Sequence, residues 1–243
     1  ALIVISTFIF GWELPLTATQ ILVINILMDG PPAVALGVEK RHGKVMERPP
    51  RPVDEGLPNG RDIALIFYLG AVMVIGTLIV FFLAGGGVYG NECSLAPFAT
   101  EADAGFSVDD CLAGDEVALS AWNSYADSTF ADAQTMTFAV FIVFQLFNVL
   151  NCRSEKESLF SLGLFSNKAI NYAILASGLL LFMFVHFAEF PLPLIGIEFG
   201  NLLSTTPLQG RDWLVLVAVA SSVFVIEEFR KFMVNTGIFR VRR

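Results

Sequence analysis

The chain has 243 residues, 55% of them hydrophobic and 16% charged, with a mean hydropathy of +0.66. Soluble domains carry about 25% charged residues, so the composition excludes an ordinary soluble protein and indicates a membrane protein. The formal net charge of −8 is concentrated in one loop.

Residues 1–11 open with ALIVISTFIF, an apolar run already under way at its first residue, which is Ala and not Met. No basic n-region of a signal peptide precedes it. The run reads as the remnant of a truncated transmembrane helix, and the chain as the C-terminal part of something larger. Further spans are expected over 17–36, 63–84, 135–152, 169–187 and 211–230. A bilayer core of about 30 Å needs roughly 20 helical residues, which makes the last span marginal: its uncharged run covers only Trp213 to Ile226. The expected fold class is an all-α membrane protein, a bundle of about six transmembrane helices with the first one truncated.

The connecting segments set the orientation. The 37–62 loop holds Lys40, Arg41, Lys44, Arg48, Arg51 and Arg61. Residues 153–168 hold Arg153, Lys156 and Lys168, and the end of the chain holds Arg230, Lys231, Arg240, Arg242 and Arg243. The alternate loops hold only Arg211. By the positive-inside rule, 37–62 and the 231–243 tail face the cytoplasm and the 85–134 loop faces out.

That outer loop has no Lys or Arg but carries Glu92, Glu101, Asp103, Asp109, Asp110, Asp115, Glu116, Asp127 and Asp132. Such runs are usually solvated faces; the sharper reading is an acidic funnel that draws cations away from an exit. Cys93 and Cys111 share this loop on the oxidising side, where a disulfide is expected. Cys152, at a cytoplasmic helix end, is expected to be a free thiol. Gly85 to Gly87 mark a span-to-loop junction and lack the pattern of a phosphate loop. His42 and His186 have no His or Cys neighbours at ligand spacing, so loop or packing roles are expected for both.

The segment that carries chemistry is NILMDGPPAV, Asn25 to Val34, at the middle of the 17–36 span. A carboxylate at that depth costs about 2.5–3.5 kcal/mol on insertion scales and is usually functional. Asn25 and Asp29 are four residues apart, on one helical face. Pro31 and Pro32 have no N–H, so the carbonyls of Leu27 and Met28 lose their helical donors, and Gly30 eases unwinding. Freed carbonyls facing lipid are costly, so they are expected to line a polar cavity or an ion. The alternative is a proline-kinked span whose Asn and Asp pair with neighbouring helices. Hard oxygens suit Ca²⁺, Mn²⁺ or Mg²⁺, whereas the Met28 thioether does not. Gln145, Asn148 and Asn151 form an amide stripe in FQLFNVLNC. Met28, Gln145 and Asn148 are the near-site candidates, although interhelical hydrogen bonding explains the amides equally well.

QILVINILMDGPPAVALGVE resembles the sixth transmembrane helix of P-type calcium-transporting ATPases, and MERPPRP the loop after it. TMTFAVFIVFQLFNVLNCRS resembles their eighth helix and ASSVFVIEEFRKF their tenth. The secretory-pathway branch is the nearest in pattern. The resemblance covers nearly the whole chain except the acidic loop. It implies a C-terminal membrane domain over 1–243 with Asn25 and Asp29 as ligands of the transported ion. Met28 and Gln145 stand where two-ion pumps carry Thr and Glu, which implies one ion. Val34 stands where manganese-transporting members carry Gln, which weighs against Mn²⁺ as cargo and leaves Ca²⁺ as the first candidate.

The resemblance also implies an enzyme only as part of a full pump. ATP and Mg²⁺ would act through cytoplasmic domains, and the N-terminal half of the same pump and the lipid bilayer would be its partners. No nucleic-acid partner is expected. The stretch RPPR, Arg48 to Arg51, falls where the family's loop meets the phosphorylation domain, although a surface turn is the commoner meaning. The location implied is a multi-pass membrane protein, in the plasma membrane of a prokaryote or the secretory pathway of a eukaryote. The rival classes are a non-enzymatic scaffold derived from a pump and a gradient-driven cation transporter.

Overall fold

The computed structural model describes residues 13–39, 60–88, 93–97, 99–154, 157–186 and 203–236; for Met28, Asp29, Arg61 and Asp62 the backbone alone is described. The regular elements among them are helices. The expected remnant span at 1–11, most of the 37–62 loop, His42, RPPR and the end of the tail lie outside the described residues.

The first span begins at a cap. The Thr17 hydroxyl accepts from the Gln20 amide at 3.2 Å, and the Gln20 side-chain oxygen accepts from the Thr17 amide at 3.1 Å. This reciprocal box supplies donors and acceptors at the helix start and opens α1, Ala18–Asp29. Gly30 interrupts it, and α2, Pro31–Gly37, restarts with both prolines in its first turn, where α2 itself has no use for their missing N–H groups. The single 17–36 span is therefore two helices in tandem.

Helix α3, Gly60–Leu83, ends at the Gly85–Gly87 turn. Gly86 lies against the Phe81 ring, so closely that a Cβ there would come within 2.3 Å of it. The acidic loop then folds into a small unit of its own. It comprises α4, Glu101–Ala104, α5, Val108–Leu112, and the first turns of α6, Glu116–Asn151. Cys93 and Cys111 are joined by a disulfide, and with Phe106 and Ala118 they form a local core against Trp122 and Tyr125. Asp115 caps α6 by accepting from the Val117 and Ala118 amides, both at 2.9 Å. Two bonds from Thr100 to the Asp103 carboxylate, at 2.7 and 3.0 Å, hold that carboxyl below its usual range.

Residues 116–134, expected as loop, are thus helical. Glu116, Asp127 and Asp132 lower the hydropathy without breaking the helix, whose buried positions Ala118, Ala126 and Ala133 recur at helical spacing. The resulting 36-residue helix is about 54 Å long, more than a bilayer core requires.

Helix α7, Leu159–Leu162, and α8, Lys168–His186, follow, and α9, Gly210–Asn235, closes the set. Among the described residues, four stretches are long and apolar enough to cross a membrane: Ala18–Gly37, Ile63–Leu83, Glu116–Asn151 and Lys168–His186. The expected span at 211–230 lies within α9 but is not among the four, because Arg211 and Asp212 flank one end and Glu227, Glu228, Arg230 and Lys231 the other.

Helix α6 is the hub. Phe138, Ala139, Val140, Ile142 and Phe144 are all fully buried, and burial on every face of a helix means neighbours all round. Those neighbours are Ile24 and Leu27 of α1, Met73 and Val80 of α3, Leu181 and Val185 of α8, and Leu216, Ala220 and Val223 of α9. Outward faces are apolar as well, as at Ile66, Phe67, Leu175, Leu179, Leu214 and Phe229, which suits a bundle solvated by lipid rather than water. His186 has a packing role, accepting from the Trp213 indole at 3.0 Å and lying tilted against the Phe182 ring with centroids 4.4 Å apart.

The α3–α6–α9 junction depends on a missing side chain. A Cβ on Gly76 would come within 2.5 Å of the Phe144 ring and 3.5 Å of Val219. Gly76→Val is expected to lower stability by about 1–3 kcal/mol through overpacking. Gly70→Val, at a glycine with nothing within 4 Å, is the control. Thermal unfolding in detergent measures both, and equal shifts for the two variants would refute the close approach.

Candidate cation site

The geometry centres on the break between α1 and α2. Gly30 sits at φ −84° and ψ −99°, outside helical values. A Cβ there would come within 2.9 Å of the Ile26 carbonyl oxygen, so the close turn requires glycine. Helical bonding resumes when the Val34 amide donates to the Gly30 carbonyl at 3.2 Å.

Pro31 leaves the Leu27 carbonyl without its helical donor, and the structure supplies another. The Ser177 hydroxyl of α8, fully buried, donates to the Leu27 oxygen at 3.3 Å. One of the two expected free carbonyls is thus satisfied by a neighbouring helix. Pro32 leaves the Met28 carbonyl in the same position chemically. A carbonyl oxygen has two lone pairs, so the Ser177 bond leaves Leu27 capacity for a further partner.

The side chains divide. Gln20, Ile24 and Leu27 turn into the bundle, whereas Asn25 lies on the exposed side of α1. The side chains of Asp29 and Met28 lie outside the described residues; Asp29 closes α1 one turn beyond Asn25. On α6 the amide stripe also divides. Gln145 and Asn148 are half-buried. Asn151 is buried, and its amide donates to the Val223 carbonyl of α9 at 3.3 Å, an interhelical role. The Asn148 and Asn151 side-chain oxygens are buried without a partner among the described residues. No group of three or more His, Cys, Asp or Glu that could hold a metal ion occurs among the described residues.

Both ends of the broken span are tethered through residues that sequence reasoning did not single out. Gln20 donates to the Leu203 carbonyl at 3.0 Å. Glu39, two residues past α2, accepts two bonds from Arg153 at 3.2 and 3.1 Å. The cap pattern Thr-x-x-Gln was a readable signal for Gln20. Ser177, a lone hydroxyl in an apolar run, gave only the weak signal of any polar residue in a span.

Ser177→Ala removes the donor and leaves the Leu27 carbonyl buried and unpaired on that side. A loss of about 1–2 kcal/mol is expected, read as a lower midpoint in detergent unfolding, with Ser177→Thr restoring most of it. An unchanged midpoint for Ser177→Ala would show that the Leu27 carbonyl has another donor.

Residues 13–233 match the family described as "Cation transporting ATPase, C-terminus". The chain is 33% identical over 232 residues, 96% of its length, to the calcium-transporting ATPase 1 of Schizosaccharomyces pombe. It is 33% identical over 231 residues, 95% of its length, to the mouse (Mus musculus) calcium-transporting ATPase type 2C member 2. To the calcium-transporting ATPase 1 of Saccharomyces cerevisiae it is 31% identical over 233 residues, again 95% of its length. It covers 20%, 19% and 19% of these three proteins, so it spans about a fifth of the curated relatives it matches. With a match that runs from ahead of the broken span to the last turns of α9, the chain belongs to the cation-transporting ATPase C-terminal family.

Proposed function

We propose that this chain is the C-terminal membrane domain of an ATP-driven Ca²⁺ pump and that Asn25 and Asp29 hold the transported ion. The observation that carries the reading is the helix break at Gly30, directly after Asp29, in a chain whose relatives are calcium-transporting ATPases. A discontinuous helix at mid-membrane offers side-chain and carbonyl oxygens to a cation without exposing them to lipid. Asn25 faces out of the bundle formed by α3, α6, α8 and α9, where further spans of a parent pump would close the site. The proposed arrangement has about six spans in all, with 37–62 and the tail on the cytoplasmic side and the disulfide-closed acidic unit outside.

In this reading ATP and Mg²⁺ act on cytoplasmic domains, and phosphorylation there tilts the helices so that the Asn25/Asp29 site opens outward. This chain's own part is to bind the ion, keep it from water and yield at Gly30. The membrane would be that of the secretory pathway in a eukaryote, or the plasma membrane in a prokaryote. A pump-derived scaffold and a gradient-driven transporter are the competitors, and neither needs ATP-derived phosphoenzyme.

Asp29→Asn in the full-length protein keeps the shape and removes the charge. It is expected to abolish Ca²⁺-dependent phosphorylation from ATP while leaving phosphorylation by inorganic phosphate intact; Val34→Ala, at an exposed position without a ligand atom, is expected to leave both. Retention of Ca²⁺ activation in Asp29→Asn would make the hinge structural, and absence of any phosphoenzyme in the wild type would favour the competitors.

Stoichiometry is the finer consequence. Met28 offers sulfur, a poor partner for a hard cation, and Gln145 offers a neutral amide. With one carboxylate from this chain, a second divalent ion in the membrane would be poorly compensated, and burying unpaired charge is prohibitive. Equilibrium ⁴⁵Ca binding to the full-length protein, normalised to phosphoenzyme, is expected to saturate near one. Saturation near two with a Hill coefficient well above one would sink the one-ion reading.

A further inference from the structure

We propose that Glu39 and Arg153 are a positioning pair that anchors the far half of the broken span and thereby sets the cation affinity of the Gly30 hinge. The inference rests on the pump reading above for what is bound, and on the structure for the anchor.

Arg153 follows the end of α6, and its side chain is 1% exposed. Each guanidinium nitrogen is engaged. Nε and Nη2 donate to the two Glu39 carboxylate oxygens at 3.2 and 3.1 Å. Nη1 donates to the Gly163 and Leu164 carbonyls at 3.1 and 3.4 Å, and Nη2 also donates to the Ser166 hydroxyl at 2.6 Å. The Asn167 amide adds a bond to Glu39 Oε2 at 2.6 Å. Arginine does not lose its proton in proteins, so burial this deep requires a carboxylate, and the planar fork fixes that carboxylate's orientation as well as its distance. The pair joins three segments: the residues after α2, the end of α6 and the loop before α8.

Glu39 transmits this fixation to the hinge. Its amide donates to the Leu36 carbonyl at 3.0 Å, so it is bonded to the last turn of α2. Ala35 of that turn packs with Ile170 and Ala173 of α8. On the other side of the break, α1 is held by Gln20 on Leu203 and by Ser177 on Leu27. Both halves are tethered, and Gly30 is the one position between them off helical geometry. Asn25, Asp29 and the freed Leu27 and Met28 carbonyls all lie on α1, so the anchored α2 acts on their placement through Gly30, which joins Asp29 directly to the tethered half. Loosening the Glu39 end alters how well the site is preorganised, which is an affinity effect, while the turnover machinery stays in place.

The test uses the full-length protein and reads ATPase activity against free Ca²⁺. Glu39→Gln and Arg153→Met are each expected to raise the Ca²⁺ concentration for half-maximal activation at least tenfold, with turnover at saturating Ca²⁺ changed less than threefold. The double variant is expected to match the singles rather than multiply them, and Arg153→Lys to recover only part of the shift. Unshifted half-saturation, multiplicative effects, or a loss confined to turnover would each overturn the proposal. Should Glu39→Gln not fold, Asn167→Ser removes the bond to Glu39, keeps the ion pair and retains an oxygen for the Ala169 and Ile170 amides that Asn167 caps; a two- to fivefold shift is expected, and no shift would overturn the proposal. Hydrogen exchange over the 34–39 amides reads the anchor without any cargo. Faster exchange in Glu39→Gln supports the tether even if the wild type shows no Ca²⁺ activation, in which case the pump reading fails alone; unchanged exchange defeats the tether itself.

Discussion

Two absent N–H groups, at Pro31 and Pro32, govern the arrangement of the helices around them. In lipid no water stands ready to bond an orphaned carbonyl, so a span with consecutive prolines at its middle must find donors elsewhere or break where breaking is tolerated. This chain does both. Gly30 takes a backbone conformation that a side chain would obstruct at the Ile26 carbonyl, and α8 brings the Ser177 hydroxyl to the Leu27 oxygen. That requirement fixes α8 beside the break, and Ala35 packing with Ile170 and Ala173 follows from the same placement.

With α8 placed, α6 becomes central, and its end becomes a meeting point for positive charge. The C-terminal carbonyls of a helix carry partial negative charge and favour cations. Lys231, 1% exposed in its side chain, reaches from α9 to the Asn151 carbonyl at 3.4 Å. Arg153 continues from the same terminus to Glu39. Glu228 pairs with Lys231 at 3.4 Å and accepts from the Leu159 amide at 3.0 Å, so α9 also fixes the start of α7. Buried polar groups of this kind are stabilising only when their partners are present, which makes this end of the bundle a single unit rather than a set of separate contacts.

What the sequence disclosed follows the same physics. The break at Gly30 was legible because Asp, Gly and two prolines inside an apolar run admit few backbone outcomes, and the disulfide expectation needed only two cysteines sharing one loop. The length of α6 was not legible, since hydropathy ends where acidic residues begin while helical periodicity continues through Ala118, Ala126 and Ala133. The tethers were hidden for a different reason. Glu39 and Arg153 lie 114 positions apart, and nothing local marks either as half of a pair. The Arg153 charge was read for orientation, a property of the sum of basic residues, which says nothing about which carboxylate a given guanidinium meets.

The amide stripe on α6 shows how far residue type can carry a site argument. Gln145, Asn148 and Asn151 share a spacing, yet only the Asn151 nitrogen reaches across to α9, at the Val223 carbonyl, while the side-chain oxygens of both Asn148 and Asn151 are buried without a partner among the described residues. A buried orphan acceptor costs free energy and calls for a donor, a water or a cation. Asn148 and Asn151 are therefore both left with an oxygen to satisfy inside the bundle. Periodicity placed all three on one face; only the hydrogen-bond partners show that Asn151 joins two helices through its nitrogen and that two of the three oxygens are still to be satisfied.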